Sequence, residues 1–289
     1  MRALDLKNIF HQELDVIYGK NEVENFFFIC LEYYLNIPRF QLALNPELTL
    51  TKSETDTFFI VLEALKQQKP IQYILGETEF FGLKIKVNRH VLIPRQETEE
   101  LVDWIIRNQS FDEHEILNIL DIGTGSGCIA ISLAKNLTNA NVYALDISNE
   151  ALKVASINAD LNEVEISFTK ANILDETSHD SVMSNEEFDI IVSNPPYVRN
   201  SEKEEIKPNV LENEPHLALF VDDDDPLIFY RVITAFANKK LKKGGQLYFE
   251  INQYLGEETK QLLIDAGFKD IELLEDLNSN LRMLKGIKI

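Results

Sequence analysis

The stretch Phe188-Asp189-Ile190-Ile191-Val192-Ser193-Asn194-Pro195-Pro196-Tyr197 joins an apolar, β-branched run to two consecutive prolines. The prolines fix φ and remove two backbone donors, so a strand entering here must stop and turn out at its carboxyl end. In an open α/β sheet, ligands bind at that end. The side chains delivered there are a carboxamide, Asn194, and a phenol, Tyr197, with no His, Cys or paired carboxylate beside them. That set is poor for hydrolysis. A planar NH2 group, whose lone pair is delocalised, needs two acceptors instead. Asn194 Oδ1 offers one and the Pro195 carbonyl, turned outward by the extended Pro195-Pro196 step, offers the other, with Tyr197 free to stack on the planar group. Read alone, Pro-Pro-Tyr is also compatible with a stiff loop or a polyproline ligand. The surrounding sequence decides between them.

Outward from this stretch, residues 117 to 252 alternate strand and helix. Strands are expected at Leu117 to Ile122, Val142 to Ile147, Ile166 to Thr169, Ile190 to Val192 and Leu247 to Ile251, and helices at Cys128 to Leu137, Glu150 to Asn162 and Leu227 to Lys240. This alternation predicts a mostly parallel sheet covered on both faces. The run Asp121-Ile122-Gly123-Thr124-Gly125-Ser126-Gly127-Cys128 leaves the first strand and opens its helix. Glycines at alternate positions let the backbone turn tightly and approach a ligand. A dinucleotide fingerprint needs its third glycine where Cys128 stands, so a smaller nucleoside is favoured over NAD or FAD. Asp146, ending the next strand, suits both ribose hydroxyls, and Asn172, ending the third, suits an adenine edge.

Before this unit, residues 4 to 69 read as helices. Leu6, Ile9, Phe10, Leu14 and Ile17 form one apolar stripe, and Phe27, Cys30, Leu31 and Tyr34 form another. A third helix is expected between Thr51 and Lys69, buried through Phe58, Val61, Leu62 and Leu65 and capped by Ser53 or Thr51. Alternation at Leu83, Ile85 and Val87, a turn at Asn88-Arg89 and the run Val91 to Ile93 predict a hairpin, and an acid-rich start at Arg95 to Glu100 predicts a further helix.

Charge is lopsided: 28 basic against 48 acidic residues give −20 and a pI near 4.7. The 7 basic and 10 acidic residues up to Leu75 leave 21 and 38 after it, a balance of −17 for residues 76 to 289. Such a surface repels phosphate backbones and attracts basic proteins. No signal peptide or membrane span is read from the sequence. Cys30 and Cys128 have neither metal-ligand spacing nor a disulfide framework, which fits a reducing cytoplasm. Asp222 to Asp225 lack the spacing of a calcium loop and read as a solvated loop, so no metal is expected.

The run Asp121 to Cys128, Asp146-Ile147-Ser148 and Asn194 to Tyr197 resemble the motifs of class I S-adenosylmethionine-dependent methyltransferases acting on amino groups. Longer matches, Pro70-Ile71-Gln72-Tyr73-Ile74-Leu75-Gly76, Leu92-Ile93-Pro94-Arg95, Glu214-Pro215 and Phe229-Tyr230-Arg231, resemble one family among them, PrmC (HemK). That resemblance covers essentially the whole chain. It implies a Rossmann-like α/β methyltransferase domain over residues 95 to 289, a β-hairpin linker over 76 to 94, and a helical bundle over 1 to 75 that docks the substrate. It implies methylation of the glutamine N5 of the Gly-Gly-Gln loop in class I peptide chain release factors, by a cytoplasmic enzyme expected to act as a monomer without direct nucleic-acid or membrane binding. S-adenosylmethionine would be held by Asp121, Gly123, Thr124, Gly125, Ser126, Gly127, Asp146, Asn172 and Asn194. Catalysis would fall to Asn194, Pro195 and Tyr197, and substrate binding to these with Pro196. The chain departs from the family pattern at Gln96, Pro226 and Asn252, outside those motifs. An enzyme acting on adenine N6 or cytosine N4 could use the same clamp, but it must flip a base and hold a strand, which the −17 balance opposes. A non-catalytic cofactor-binding adaptor would have no need of the intact Asn194 to Tyr197 stretch.

Overall fold

A computed structural model of the chain describes residues 1–109, 116–178 and 186–289. The chain divides into two compact units, Met1–Gly76 with Pro208–Asn213, and Glu77–Lys207 with Glu214–Ile289.

In the first unit, helices Ala3–Tyr18, Lys20–Leu35 and Lys52–Lys66 bury Leu6, Phe10, Leu14, Phe27, Cys30, Leu31, Phe58, Val61, Leu62 and Leu65 around one core. The apolar stripes read from the sequence face this core, except Ile17, which is 43% exposed near the end of its helix. Gly19 at φ 81° separates the first two helices. Thr51 rather than Ser53 caps the third: its Oγ1 accepts the Glu54 N–H while Glu54 accepts the Thr51 N–H, a reciprocal box that only Glu three residues after the cap completes.

The second unit opens on a hairpin of β1 (Glu77–Phe80) and β2 (Leu83–Lys86), turned at Phe81-Gly82 and not at Asn88-Arg89. Phe81 and Gly82 have φ of 51° and 72°, the positive pair a tight hairpin turn demands. Asn88 opens a turn of its own, its carbonyl accepting the Val91 N–H at 3.1 Å, but Val91 to Ile93 do not return as a strand, and the Ile93 N–H donates to the Glu214 carboxylate. The remaining strands are β3 (Leu117–Ile122), β4 (Ala140–Asp146), β5 (Ile166–Lys170), β6 (Phe188–Ser193), the short pair β7 (Val198–Arg199) and β8 (Phe220–Val221), β9 (Leu241–Glu250), β10 (Lys269–Glu275) and β11 (Leu281–Ile287).

Among the described residues, seven of these form the central sheet, in the order β10-β11-β9-β6-β3-β4-β5. Strands β3 to β6 and β9 pair in parallel; β11 runs antiparallel to both neighbours. Consecutive buried residues in β3 (Ile119 to Ile122) and β6 (Ile190 to Ser193) show both faces covered, as a parallel sheet requires. From β3 the chain winds first to β4 and β5, then crosses back to β6 on the other side. That reversal opens a crevice at the carboxyl ends of β3, β4 and β6.

Candidate active site

A cavity of about 320 Å³ occupies this crevice, near the lower end of the roughly 300 to 1,000 Å³ usual for ligand pockets. Its wall includes Gly123, Thr124, Gly125, Ser126, Asp146, Asn172, Asn194, Pro195 and Pro196. The sheet register brings these together. The Gly123 and Thr124 N–H groups donate to the Leu145 carbonyl at 2.9 and 3.0 Å, and the Ser193 hydroxyl donates to the Ile122 carbonyl at 2.7 Å. The three strand ends are thereby tied into one rim.

All three glycines of the turn have positive φ: 76° at Gly123, 57° at Gly125 and 83° at Gly127. Asp146 holds this turn from the neighbouring strand, its Oδ2 accepting the Gly125 N–H at 2.9 Å and its Oδ1 the Ser148 N–H at 2.8 Å. Burial raises the Asp146 carboxyl above the ordinary range, against the pull of those N–H groups. Each oxygen accepts one of these bonds and keeps further lone-pair capacity, and Asp146 lines the cavity. Asn172 Oδ1 accepts the Leu174 N–H at 3.0 Å.

Asp121, Gly127 and Tyr197, also expected at the site from the sequence, do not line this wall and lie next to residues that do. Asp121 is 1% exposed and accepts the Thr124 hydroxyl at 2.7 Å, while its Oδ1 has no partner at hydrogen-bonding geometry. Desolvation pushes its pKa up to about 7, although Thr124 and the Ala130 N–H pull it down. Gly127 backs onto Ile131 and Ala155. The Tyr197 phenol donates to Glu250 Oε1 at 2.9 Å, with the Arg282 guanidinium 5.9 Å from its ring centre.

Other residues to which the sequence assigns no site role also shape the cavity or the elements behind it. Thr98 lines the cavity, and its hydroxyl donates to Glu250 Oε2 at 2.6 Å while accepting Asn194 Nδ2 at 3.3 Å. Glu214, 4% exposed, pairs with Arg95 on the wall. Asn158, fully buried, bonds the backbone of Lys86 in the hairpin and the Ser126 carbonyl in the glycine turn. Of the departures, Gln96 simply starts helix Gln96–Arg107. Asn252 caps the turn at Gln253–Leu255 and donates to the Tyr197 carbonyl at 2.9 Å, strapping the end of the Pro-Pro segment. The aspartates Asp222, Asp223 and Asp225 accept bonds from Asn200, Ser201 and Arg231. Among the described residues no His, Cys, Asp and Glu cluster could hold a metal ion, and no helix is long and apolar enough to cross a membrane.

Residues 102–218 match the Methyltransferase small domain, and residues 22–76 match the PrmC N-terminal domain. A release factor glutamine methyltransferase of Flavobacterium psychrophilum is 57% identical over 96% of this chain and 95% of its own length. The chain belongs to the release factor glutamine methyltransferase family. Another member, from Bacteroides thetaiotaomicron, is 40% identical over 94% of this chain and 95% of its own. Solved structures carry the fold beyond the family. A methyltransferase from Pyrococcus furiosus superposes with a TM-score of 0.51 at 18% identity, covering 72% of this chain and 90% of its own. A T. thermophilus 16S rRNA methyltransferase in complex with AdoMet and guanosine gives 0.53 at 16%, covering 74% and 50%.

Proposed function

We propose that this chain transfers a methyl group from S-adenosylmethionine to the N5 amide nitrogen of the glutamine in the Gly-Gly-Gln loop of class I peptide chain release factors, and so serves translation termination. The observation that carries the proposal is the match to a release factor glutamine methyltransferase over 96% of the chain. Asn194 and Pro195 on the cavity wall supply the acceptors that reaction needs.

The residues present fit the cofactor. Asp146 offers ribose hydroxyls a carboxylate with spare lone pairs, the positive-φ backbone of Gly123 and Gly125 allows close approach, and Asn172 offers an amide to a base edge. S-adenosylmethionine bound there supplies a sulfonium methyl for direct transfer, without a covalent enzyme intermediate. An amide nitrogen is a feeble nucleophile, so the chain's task is alignment, worth about 7 to 11 kcal/mol in favourable intramolecular reactions. Asn194 Oδ1 and the Pro195 carbonyl accept the two N–H groups of the substrate amide. As its nitrogen loses conjugation, those N–H groups become stronger donors, and the two acceptors hold the transition state more tightly than the ground state. A strong base is unnecessary, since the proton becomes acidic as methylation proceeds and leaves to water.

A cytoplasmic monomer is part of this reading; two free, buried cysteines accord with a reducing compartment. The −17 balance of residues 76 to 289 and the names of the curated relatives weigh against a nucleic-acid substrate. The test is incubation with radiolabelled S-adenosylmethionine and a purified class I release factor. Label should enter the factor and vanish when its Gly-Gly-Gln glutamine is replaced. Label in nucleic acid from a cell extract, with none in the factor, would sink the proposal.

A further inference from the structure

Behind Asn194 lies a hydrogen-bonded chain drawn from three distant parts of the sequence. Thr98 sits in the first turn of helix Gln96–Arg107, 3% exposed, between Asn194 Nδ2 and Glu250 Oε2. Glu250, 1% exposed at the end of β9, takes O–H donors on both oxygens, from Thr98 at 2.6 Å and from Tyr197 at 2.9 Å. Burial raises the Glu250 carboxyl, while the Thr98 and Tyr197 hydroxyls and the nearby Arg282 charge pull it down; in the ionised form it has no hydrogen to give. The single Thr98 proton therefore points at Glu250, and the Thr98 oxygen can meet Asn194 only as an acceptor. A carboxamide that turns its NH2 to Thr98 turns its oxygen the other way.

We infer that Thr98 and Glu250 are positioning residues, which fix the Asn194 carboxamide with its carbonyl oxygen facing the amide to be methylated. This inference rests on the methyl-transfer reading above. Without the relay the terminal torsion of asparagine is broad and close to two-fold. A flipped Asn194 would set its NH2 against the NH2 of the substrate, donor against donor. Neither residue falls within the Asn194 to Tyr197 motif, and the relay exists only because helix Gln96–Arg107 packs against β9 beside β6.

Thr98→Val removes the hydroxyl and keeps the shape, so kcat should fall about 10- to 100-fold, with KM for the release factor and calorimetric cofactor affinity within about threefold of wild type. Thr98→Ser should restore turnover to within about threefold, because only the hydroxyl is at issue. In an Asn194→Ala background Thr98→Val should cost nothing further, since the relay acts through Asn194 alone. Should Thr98→Val fail to fold, Glu250→Gln tests the same point. Its amide can present NH2 to Thr98 and release the constraint, which lowers kcat with affinity kept. Wild-type turnover in folded Thr98→Val beside an inactive Asn194→Ala overturns the relay alone. Full activity of Asn194→Ala, or a wild-type enzyme inert towards release factors, overturns the underlying reading and the relay with it.

Discussion

At Asn194 a single oxygen carries the argument for amide chemistry. Replacing the residue by alanine leaves a substrate N–H without its acceptor, and removal of one preorganised group from a site of charge development costs about 100- to 1000-fold in turnover. The loss should appear in kcat rather than KM under steady-state kinetics. Asp146 carries two duties, since its oxygens already hold the Gly125 and Ser148 N–H groups. Asp146→Ala should weaken cofactor binding by about 2 to 4 kcal/mol in calorimetry, and orphaning those N–H groups should lower stability by about 1 to 3 kcal/mol in urea denaturation. Asp121 gives a pH signature. Its folded pKa of about 7 stands above its unfolded value, so the folded state binds the proton more tightly. Its contribution to stability is complete below the unfolded pKa of about 4 and is lost as pH rises towards 7. Asp121→Asn does not titrate and should gain stability relative to wild type across that window. A difference that stays flat from pH 4 to 7 would show that Asp121 does not titrate there.

At the scale of elements, the glycine turn and the helix it opens are held by fit as much as by hydrogen bonds. A Cβ at Gly127 would stand 3.0 Å from Ile131 Cδ1 and 3.1 Å from Ala155 Cβ, at a φ of 83° that L-residues avoid. Gly127→Ala should therefore cost about 2 to 4 kcal/mol, combining left-handed strain with overpacking. Denaturant midpoints measure this, and a loss under 1 kcal/mol would mean that helices Cys128–Asn136 and Asn149–Leu161 part easily. The turn's glycines, its order after β3 and the proline stop after β6 were all readable, because local backbone demands write themselves into residue type. The hairpin was misplaced by several residues. Asn88-Arg89 does turn, as its residue types suggest, but the strand pairing forms across Phe81-Gly82, and the Ile93 N–H goes to Glu214, over a hundred residues away. Strands β10 and β11 carry a weaker signal: Asp270, Ile271, Glu272 and Leu273 alternate, but Leu274 breaks the period.

For the whole molecule, the cavity, the glycine turn and Asn194 belong to one compact unit, and Met1–Gly76 belongs to the other. We propose that the helical unit docks the release factor. Removing residues 1 to 75 should leave cofactor affinity within about threefold, while kcat/KM for an intact release factor falls at least about 100-fold, the loss of several kcal/mol of remote binding. Calorimetry and initial rates on the same preparation separate the two. Equal activity of the shortened chain on the intact factor would make the helical unit a brace.

The alternating α/β unit, the positive-φ glycine turn, the carboxylate after β4 and the proline stop with Asn194 are legible along the chain, because each is a local pattern of period, backbone freedom or removed donors. Tertiary structure alone decided which of these residues face the cavity. Tyr197 reads as a stacking ring, and nothing near it in sequence shows that its hydroxyl donates to a carboxylate fifty-three positions on. Thr98 reads as one polar residue in an acidic helix start, yet it joins Asn194 to Glu250 across three elements. A buried polar group must find a partner wherever the fold brings one, and no pattern along the chain records which partner that is.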